Sequence, residues 1–278
     1  GASLGGRCRY ELALFEVDER SALRIYPYLK PDYMLITNLS RDSIMRNAHP
    51  EYIRDILTKY IPKKTKLILN ADDLICCGIA PENPRVYFGI EKMDTDVTDC
   101  VNLINDLQIC PQCHRRLEYE YRRYNHIGKA YCPHCGFKAP AYDYAGCDVD
   151  LAGMKIDVKD ATGVGHYRLL NESIFNIYNV VSAVAVLREI GYSHAQIEAF
   201  FAKLNIVGSR YDAETIGSRT LYRLLAKEKN AFATTRVFDY IGGLDGDKEI
   251  ILMNSCQGDM KHWSENTCWL YDCDFEFL

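Results

Sequence analysis

The chain has 278 residues, of which 48% are hydrophobic and 26% are charged, and its formal net charge is −5. This balance is typical of a folded globular protein with one large or two smaller domains, and it excludes a chain that is disordered by composition. The negative charge provides no global field that would attract nucleic acid or anionic lipid, and no apolar run reaches the roughly 18–20 residues of a membrane helix.

The first elements in chain order predict alternating strands and helices. Residues 10–17 are apolar enough for a buried parallel strand that ends in acidic residues, and residues 33–38 predict a second strand. Helical spacing of apolar residues predicts a helix over Pro50–Tyr60, which Pro62 ends. Lys66–Asn70 predicts a third strand. Strand, helix and strand at this spacing favour an α/β fold with a parallel sheet.

The pattern changes between residues 106 and 141, which are aromatic, basic and rich in cysteine and have the character of an insertion. Residues 154–159 predict a strand, and residues 174–190 and 195–204 predict helices. A new unit is expected from residue 206, with strands at 249–253 and 274–277.

Four of the twelve cysteines form two CxxC pairs, Cys110 with Cys113 and Cys132 with Cys135. A CxxC turn brings two thiolates to one metal, and zinc prefers four such ligands at tetrahedral corners. The spacing therefore predicts a structural zinc ion in a zinc ribbon with a two-stranded arm. Four protein ligands leave no coordination position open for catalysis.

The ribbon sequence leaves alternatives. One or both pairs could be redox-active, and His114 and His134 could replace a cysteine, although each stands beside a cysteine with the better spacing. The insertion could also bind nucleic acid through arginines that are interleaved with tyrosines. These arginines are Arg115, Arg116, Arg122 and Arg123. The acidic chain as a whole favours a solvated arm stabilised by metal.

The ends of the sequence predict an incomplete protein. Residues 1–6 are rich in glycine, and the last residues have the pattern of a starting strand. We therefore expect a fragment or the product of a gene that has lost segments. The other eight cysteines follow no repeat, and the first ten residues have no charged head before an apolar stretch, so we expect reduced thiols in a cytoplasm.

Five short motifs, in this order, resemble those of the Mur ligases. They are LFEVDE at 14–19, ITNLSRD at 36–42, LNADD at 69–73, NIYNVVSA at 176–183 and GSRYD at 208–212. MurT-like subunits of lipid II isoglutaminyl synthase carry a four-cysteine ribbon between the third and fourth of these motifs, as this chain does. Residues 266–276 also resemble a C-terminal segment of those subunits.

The resemblance covers nearly the whole chain and implies its fold. Residues 1–205 would form a parallel sheet like that of the Mur ligase central domain, with the zinc ribbon inserted at 106–141. Residues 206–278 would form part of a Rossmann-like C-terminal domain.

The resemblance also implies an activity. MurT-like subunits use ATP and Mg²⁺ to activate the α-carboxylate of D-glutamate in lipid II, and ammonia from a GatD-like glutaminase subunit then gives D-isoglutamine. The protein would be bacterial and cytoplasmic, would act at the inner face of the membrane without spanning it, and would bind no nucleic acid. The alternative is a non-catalytic zinc-ribbon interaction protein or an inactive truncated homologue.

The resemblance assigns cofactor roles to four residues. Glu16, at the end of a parallel strand, would hold Mg²⁺ on the ATP phosphates. Asn176 and Asn179, three apart on a helix, would both point at adenine. Arg210 would clamp a phosphate as the acyl phosphate forms. The alternatives are an exposed strand end, helix capping after residues 171–173, and a surface arginine.

The resemblance further implies that an aspartate of the C-terminal domain completes the Cys–His triad of the glutaminase. Asp272 and Asp274 are the two candidates, and both could instead be turn residues. Asp72 and Asp73 are likewise interpreted as turn residues.

Two departures from the Mur ligase pattern bear on activity. The phosphate loop is missing, since no Lys or Thr follows the glycines of residues 1–6, and ATP affinity should fall without it. Arg41 and Asp42 stand where related ligases have a metal-binding histidine, as they do in MurT-like subunits. We therefore expect that this chain alone could be inactive.

Overall fold

The computed structural model describes residues 10–41, 49–204, 211–227, 229–253 and 267–278. The strands are β1 Tyr33–Ile36, β2 Lys66–Asn70, β3 Arg85–Ile90, β4 Glu118–Tyr124, β5 Ile127–Tyr131, β6 Tyr144–Asp150, β7 Lys155–Asp160, β8 Gly163–Arg168, β9 Tyr211–Ile216 and β10 Arg219–Leu224. The α-helices are α1 Ala22–Ile25, α2 Pro50–Tyr60, α3 Leu74–Cys77, α4 Ile174–Glu189, α5 His194–Phe201 and α6 Ala231–Gly242. Three 3₁₀ turns cover Glu19–Ser21, Cys268–Asp272 and Phe275–Phe277.

A six-stranded sheet in the order β1-β2-β3-β6-β7-β8 forms the centre of the molecule. The strands β1, β2, β3 and β6 are parallel to one another, and β7 and β8 extend the sheet as antiparallel strands. The predicted α/β fold with a parallel sheet is confirmed. The ribbon arm, β4 and β5, is inserted between β3 and β6, which are neighbours in the sheet although far apart in sequence.

The two faces of the sheet are covered by separate apolar cores. Successive strand residues point to opposite faces, and in β2 Ile68 joins the larger core while Leu67 and Leu69 join the smaller one. The larger core receives α4 and α5, and the smaller core receives α2. The parallel strand β2 is therefore buried on both sides, as its unbroken apolar run indicates.

Local sequence signals explain where the helices of the two cores begin. Ser173 caps α4 by accepting a hydrogen bond from the Asn176 amide. Ser193 and Gln196 form a capping box at α5. Pro50 occupies the first turn of α2, where a missing amide hydrogen costs nothing. The three predicted helices are confirmed with ends that differ by at most three residues.

Three predicted strands are wrong. Residues 11–17 have no regular structure, and Leu14 and Phe15 are 97% and 61% exposed. An apolar run becomes a buried strand only where a neighbouring strand and a covering layer exist, and in the described residues the sheet ends at β1. Residues 249–253 are also irregular, and the 274–277 segment contains the 3₁₀ turn Phe275–Phe277 instead of a strand.

After residue 206, the described residues form the β9–β10 hairpin, helix α6 and the last two 3₁₀ turns. Phe232 and Phe238 of α6, together with Trp269, pack into the larger core. The division into domains at this position stays a prediction. In the described ranges, no helix is long and apolar enough to cross a membrane.

Candidate functional site

The four cysteines of the two CxxC pairs lie together at the end of the arm where β4 begins and β5 ends. Each pair forms a short loop next to one of these strands. Their Sγ atoms all lie within 4.8 Å of one another. The Sγ–Sγ distance is 3.6 Å between Cys110 and Cys135 and 3.5 Å between Cys113 and Cys132. A zinc ion with Zn–S bonds of 2.3 Å would hold its thiolates about 3.8 Å apart. The cluster therefore has the composition and size that a tetrahedral metal site requires.

The two cysteine loops have the same backbone geometry. The amide of His114 donates to the Cys110 carbonyl at 3.0 Å, and the amide of Gly136 donates to the Cys132 carbonyl at 3.1 Å. Both following residues have positive φ, 58° at His114 and 75° at Gly136. Glycine adopts this conformation without strain, whereas the first loop uses a histidine whose side chain is not part of the cluster.

The thiols of the cluster differ in acidity. Burial would raise the pKa of Cys132, but the amides of Cys135 and His134 outweigh it, and this pKa lies at about 7. The amide of Phe137 favours the Cys135 thiolate, but burial and the neighbouring sulfurs raise its pKa to about 12. Several protons must therefore leave the cluster before four thiolates can bind a cation near neutral pH.

The tip of the ribbon arm is fixed to the sheet at Asp72, directly after β2. The carbonyl of Asp72 accepts the Gly128 amide of β5 at 2.8 Å. Its fully buried carboxylate accepts the hydroxyls of Tyr142 at 2.5 Å and Tyr178 at 2.7 Å, and the amide of Ile90 at 3.1 Å. Asp72 thus connects β2, β3, α4 and the ribbon.

Asp73 makes a second set of buried contacts. Its Oδ2 accepts the Leu39 amide at 2.7 Å, and its Oδ1 accepts the Ile75 amide at 2.9 Å and the Cys76 amide at 3.2 Å at the start of α3. Nε2 of His126, at the arm tip, lies 3.4 Å from Oδ1. Burial acts to raise the pKa of Asp73, but His126 and the amide donors outweigh it and hold the pKa below its usual value.

The interpretation of Asp72 and Asp73 as turn residues was therefore incomplete. Two acidic residues directly after a buried strand were the signal that could have found the site, because a carboxylate there must find donors. No sequence signal marks Tyr142, Tyr178 or His126 as their partners, since these residues come from distant parts of the chain.

The residues predicted to bind ATP are not assembled in the described structure. Glu16 is exposed on the irregular 11–17 segment, and the strand that was to position it is absent there. The side-chain amide of Asn176 is buried and donates to the Asn171 carbonyl at 2.9 Å, which is the capping alternative, whereas Asn179 is exposed. Arg210 and the glycine-rich residues 1–6 lie outside the described residues.

The two C-terminal aspartates have different surroundings. Asp274 is buried, and its carboxylate accepts the Asn102 side-chain amide at 3.0 Å and the Leu103 amide at 2.6 Å. The Asp272 side chain is 56% exposed and lies 3.6 Å from Nη1 of Arg41. Arg41 also pairs with the buried side chain of Asp106 at 2.6 Å.

The four arginines of the insertion differ in exposure, since Arg115 and Arg116 are exposed whereas Arg122 and Arg123 are not. Arg122 is buried, and the Arg123 side chain is 2% exposed and pairs with Asp96 at 3.4 Å. Tyr119, whose pKa burial raises to about 12, and Tyr124 are also buried. The arm thus turns Arg122, Arg123, Tyr119 and Tyr124 towards the protein, and nucleic-acid binding by the two exposed arginines stays untested.

Comparisons with known proteins agree with the motifs. The chain is 28% identical over 272 residues to the MurT subunit of lipid II isoglutaminyl synthase (glutamine-hydrolyzing) from Staphylococcus aureus, an alignment that covers 96% of this chain and 59% of the relative. The same subunit from Streptococcus pneumoniae is 29% identical over 275 residues, covering 95% and 58%. The chain therefore spans about three-fifths of the length of these relatives.

A solved structure gives the same result for the fold. The pseudomurein peptide ligase type C from Methanothermus fervidus matches 74% of this chain and 40% of its own, with 25% sequence identity and a TM-score of 0.59. No protein-family model matches the chain. The resemblance to MurT subunits expected from the motifs is confirmed, and nearly the whole chain is similar to part of those subunits.

Proposed function

We propose that this chain acts as the ligase-like subunit of an ATP-dependent, glutamine-hydrolysing amidotransferase. The reaction would convert the α-carboxylate of D-glutamate in lipid II to D-isoglutamine, at the inner face of a bacterial membrane. The observation that carries the proposal is the four-cysteine ribbon inserted between β3 and β6 of a sheet like that of a peptide ligase. The names of the relatives supply the reaction.

We propose a structural zinc ion for the cysteine cluster. The ligands would be Cys110, Cys113, Cys132 and Cys135, whose sulfur spacing fits the ion. When bound, zinc would cross-link the two loops and give the small ribbon core a stability that its few buried side chains do not provide. Four protein ligands leave the ion no catalytic position.

The predicted ligands of ATP and Mg²⁺ are not assembled among the described residues. The Asn176 amide is already hydrogen-bonded, Glu16 lies on an irregular segment, and the metal-type cluster among the described residues consists of the four cysteines. Nucleotide binding by Glu16, Asn179 and Arg210 stays a prediction.

We further propose that Asp272, and not Asp274, is the aspartate offered to the histidine of a GatD-like glutaminase. An aspartate can orient a histidine of another subunit only if its carboxylate is accessible. Asp272 is largely exposed, whereas both carboxylate oxygens of Asp274 accept hydrogen bonds within the chain.

One observation favours the second candidate, a non-catalytic zinc-ribbon protein that retains the partner surface. The described structure contains the four-cysteine ribbon and an accessible Asp272, and neither feature requires a bound nucleotide. Such a protein would bind the glutaminase without consuming ATP.

Both candidates are tested by reconstitution. The chain is incubated with a GatD-like glutaminase, glutamine, Mg²⁺-ATP and lipid II, and the lipid product is analysed by mass spectrometry. Replacement of the α-carboxyl hydroxyl by an amine, together with ADP release, is expected for the ligase subunit. Co-elution with the glutaminase without ADP release would support the non-catalytic protein. If the chain shows neither binding nor turnover, both candidate functions are contradicted.

Glu16→Ala tests the predicted magnesium role, with Glu11→Ala on the same exposed segment as the matched control. If Glu16 holds Mg²⁺, only its replacement abolishes ATP hydrolysis by the intact enzyme. Hydrolysis at the wild-type rate in Glu16→Ala would show that the carboxylate is an ordinary surface group.

A further inference from the structure

A groove of about 620 Å³ lies between the ribbon arm and the chain segment before it. That segment forms two isolated antiparallel bridges with the arm. Val97 pairs with Arg122 of β4, and Ile109 pairs with Arg116, which precedes β4. Between these points, residues of both the segment and the arm line the groove. The polar lining includes Thr98, Asn105, Gln108, Arg116, Tyr119 and Arg122. A volume between about 300 and 1,000 Å³ is usual for small-molecule sites.

Arg122 lines this groove and has no carboxylate partner among the described residues. The residue is 7% exposed, and its guanidinium carbon lies 3.7 Å from the centre of the Tyr119 ring. Nη1 donates to the Asn105 side-chain oxygen at 3.2 Å and to the Asn125 carbonyl at 3.0 Å, both neutral acceptors. Nε is buried and has no hydrogen-bond partner. Within the described ranges, no carboxylate lies within ion-pair distance of this guanidinium.

A buried arginine without a counterion is costly, because buried charges are normally paired. Arg123, the next residue, is paired with Asp96, whereas Arg122 has no such partner among the described residues. The groove also contains Asp99 and Glu118, but both are exposed, and Glu118 accepts the Tyr131 hydroxyl at 2.7 Å. Solvent screens these two charges more than it screens the buried Arg122.

We infer that this groove binds a small organic oxyanion, with Arg122 as its buried anchor and Arg116 as a second, exposed cation. The planar guanidinium fork suits the oxygens of a carboxylate or a phosphate group. Asn105 and Gln108 add amide groups that can bind the rest of the ligand. The inference is independent of the ligase proposal, because none of these residues belongs to the predicted ATP or glutaminase sites.

The test is an NMR titration of the zinc-loaded full chain that follows the Nε–Hε signal of Arg122. This signal is assigned by its disappearance from the spectrum of the Arg122→Gln variant. The carboxylate probe is N-acetylglycine and the phosphate probe is inorganic phosphate, both at constant ionic strength. We expect saturable shifts of this signal with at least one probe, and the probe that binds more tightly identifies the oxyanion. Arg122→Gln should weaken binding about tenfold or more. In this variant the affinity is measured from the NMR signals of other residues that line the groove. No saturable shift with either probe would overturn the inference.

Arg115→Gln is the matched control, because Arg115 is an exposed neighbour that does not line the groove. Its affinity for the probe should equal that of the wild type. If Arg115→Gln weakens binding as much as Arg122→Gln does, the probe is held only by general charge attraction and the site is overturned. If Arg122→Gln loses zinc or its fold, Arg116→Gln decides. A threefold or greater loss of affinity in that variant supports the site, and unchanged affinity contradicts it.

Discussion

Asp73 is a position where a small chemical change should strongly destabilise the fold. The substitution Asp73→Asn preserves the shape of the side chain but replaces one carboxylate oxygen with an NH₂ group. Oδ2 accepts the Leu39 amide, and Oδ1 accepts the Ile75 and Cys76 amides. Both oxygens therefore face donors. In either orientation of the asparagine side chain, the new NH₂ group faces a backbone N–H and cannot accept a hydrogen bond from it.

The cost can be estimated from these contacts. The variant loses at least one charge-assisted hydrogen bond, worth about 1.5–3 kcal/mol, and leaves a buried amide without an acceptor at about 1–3 kcal/mol. We expect the free energy of unfolding to fall by about 3–5 kcal/mol. Urea unfolding, followed by circular dichroism and by fluorescence, measures this value. The exposed Asp94→Asn is the matched control and should change it by less than about 0.5 kcal/mol.

The pH dependence provides a second test of the same residue. The pKa of Asp73 is lowered in the folded state, so its ionised form contributes stability above the unfolded value of about 3.9, and this contribution is lost as the pH falls through the folded pKa. The difference between wild type and Asp73→Asn should stay constant from pH 7 to about pH 5 and shrink below about pH 4. A loss under about 1 kcal/mol at pH 7 would refute the reasoning.

Three further predictions concern the metal and the partner. Cys132→Ser should release zinc and unfold the ribbon, whereas Cys147→Ser, outside the cluster, should not; unchanged zinc content on elemental analysis would contradict the ligand assignment. Zinc affinity should rise with pH as the thiols lose protons, and a chelator competition that gives equal affinity at pH 6 and pH 8 would exclude four thiolate ligands. Asp272→Asn should reduce glutaminase activity of the complex without changing the stability of the chain, whereas Asp274→Asn should lower its thermal midpoint; the reverse result would reassign the triad aspartate.

The sequence was sufficient for the local features of the site. Two CxxC pairs predict the four-cysteine cluster because each pair is a short turn whose geometry does not depend on the rest of the fold. The apolar run of Lys66–Asn70 and the spacing of Pro50–Tyr60 likewise carry their own signals of burial and periodicity.

The sequence was not sufficient where the outcome depends on distant neighbours. Residues 10–17 have the composition of a buried strand, yet the described sheet provides no strand to pair with them. Asn176 and Asn179 are three residues apart, but α4 packs with one amide buried against the Asn171 carbonyl and the other exposed. Periodicity gives the angle between two side chains and does not say which of them the core will cover.

The arm arginines show the same division most clearly. The sequence by itself determined that the two CxxC pairs of the ribbon form one cluster and that the arm carries positively charged side chains. Only the tertiary structure decided that Arg123 finds Asp96, that Arg122 is buried without an anion, and that Asp72 and Asp73 attach the arm tip to the sheet. The physical reason is that a metal loop is closed by residues near in sequence, whereas a buried charge is compensated by whichever groups the fold brings beside it.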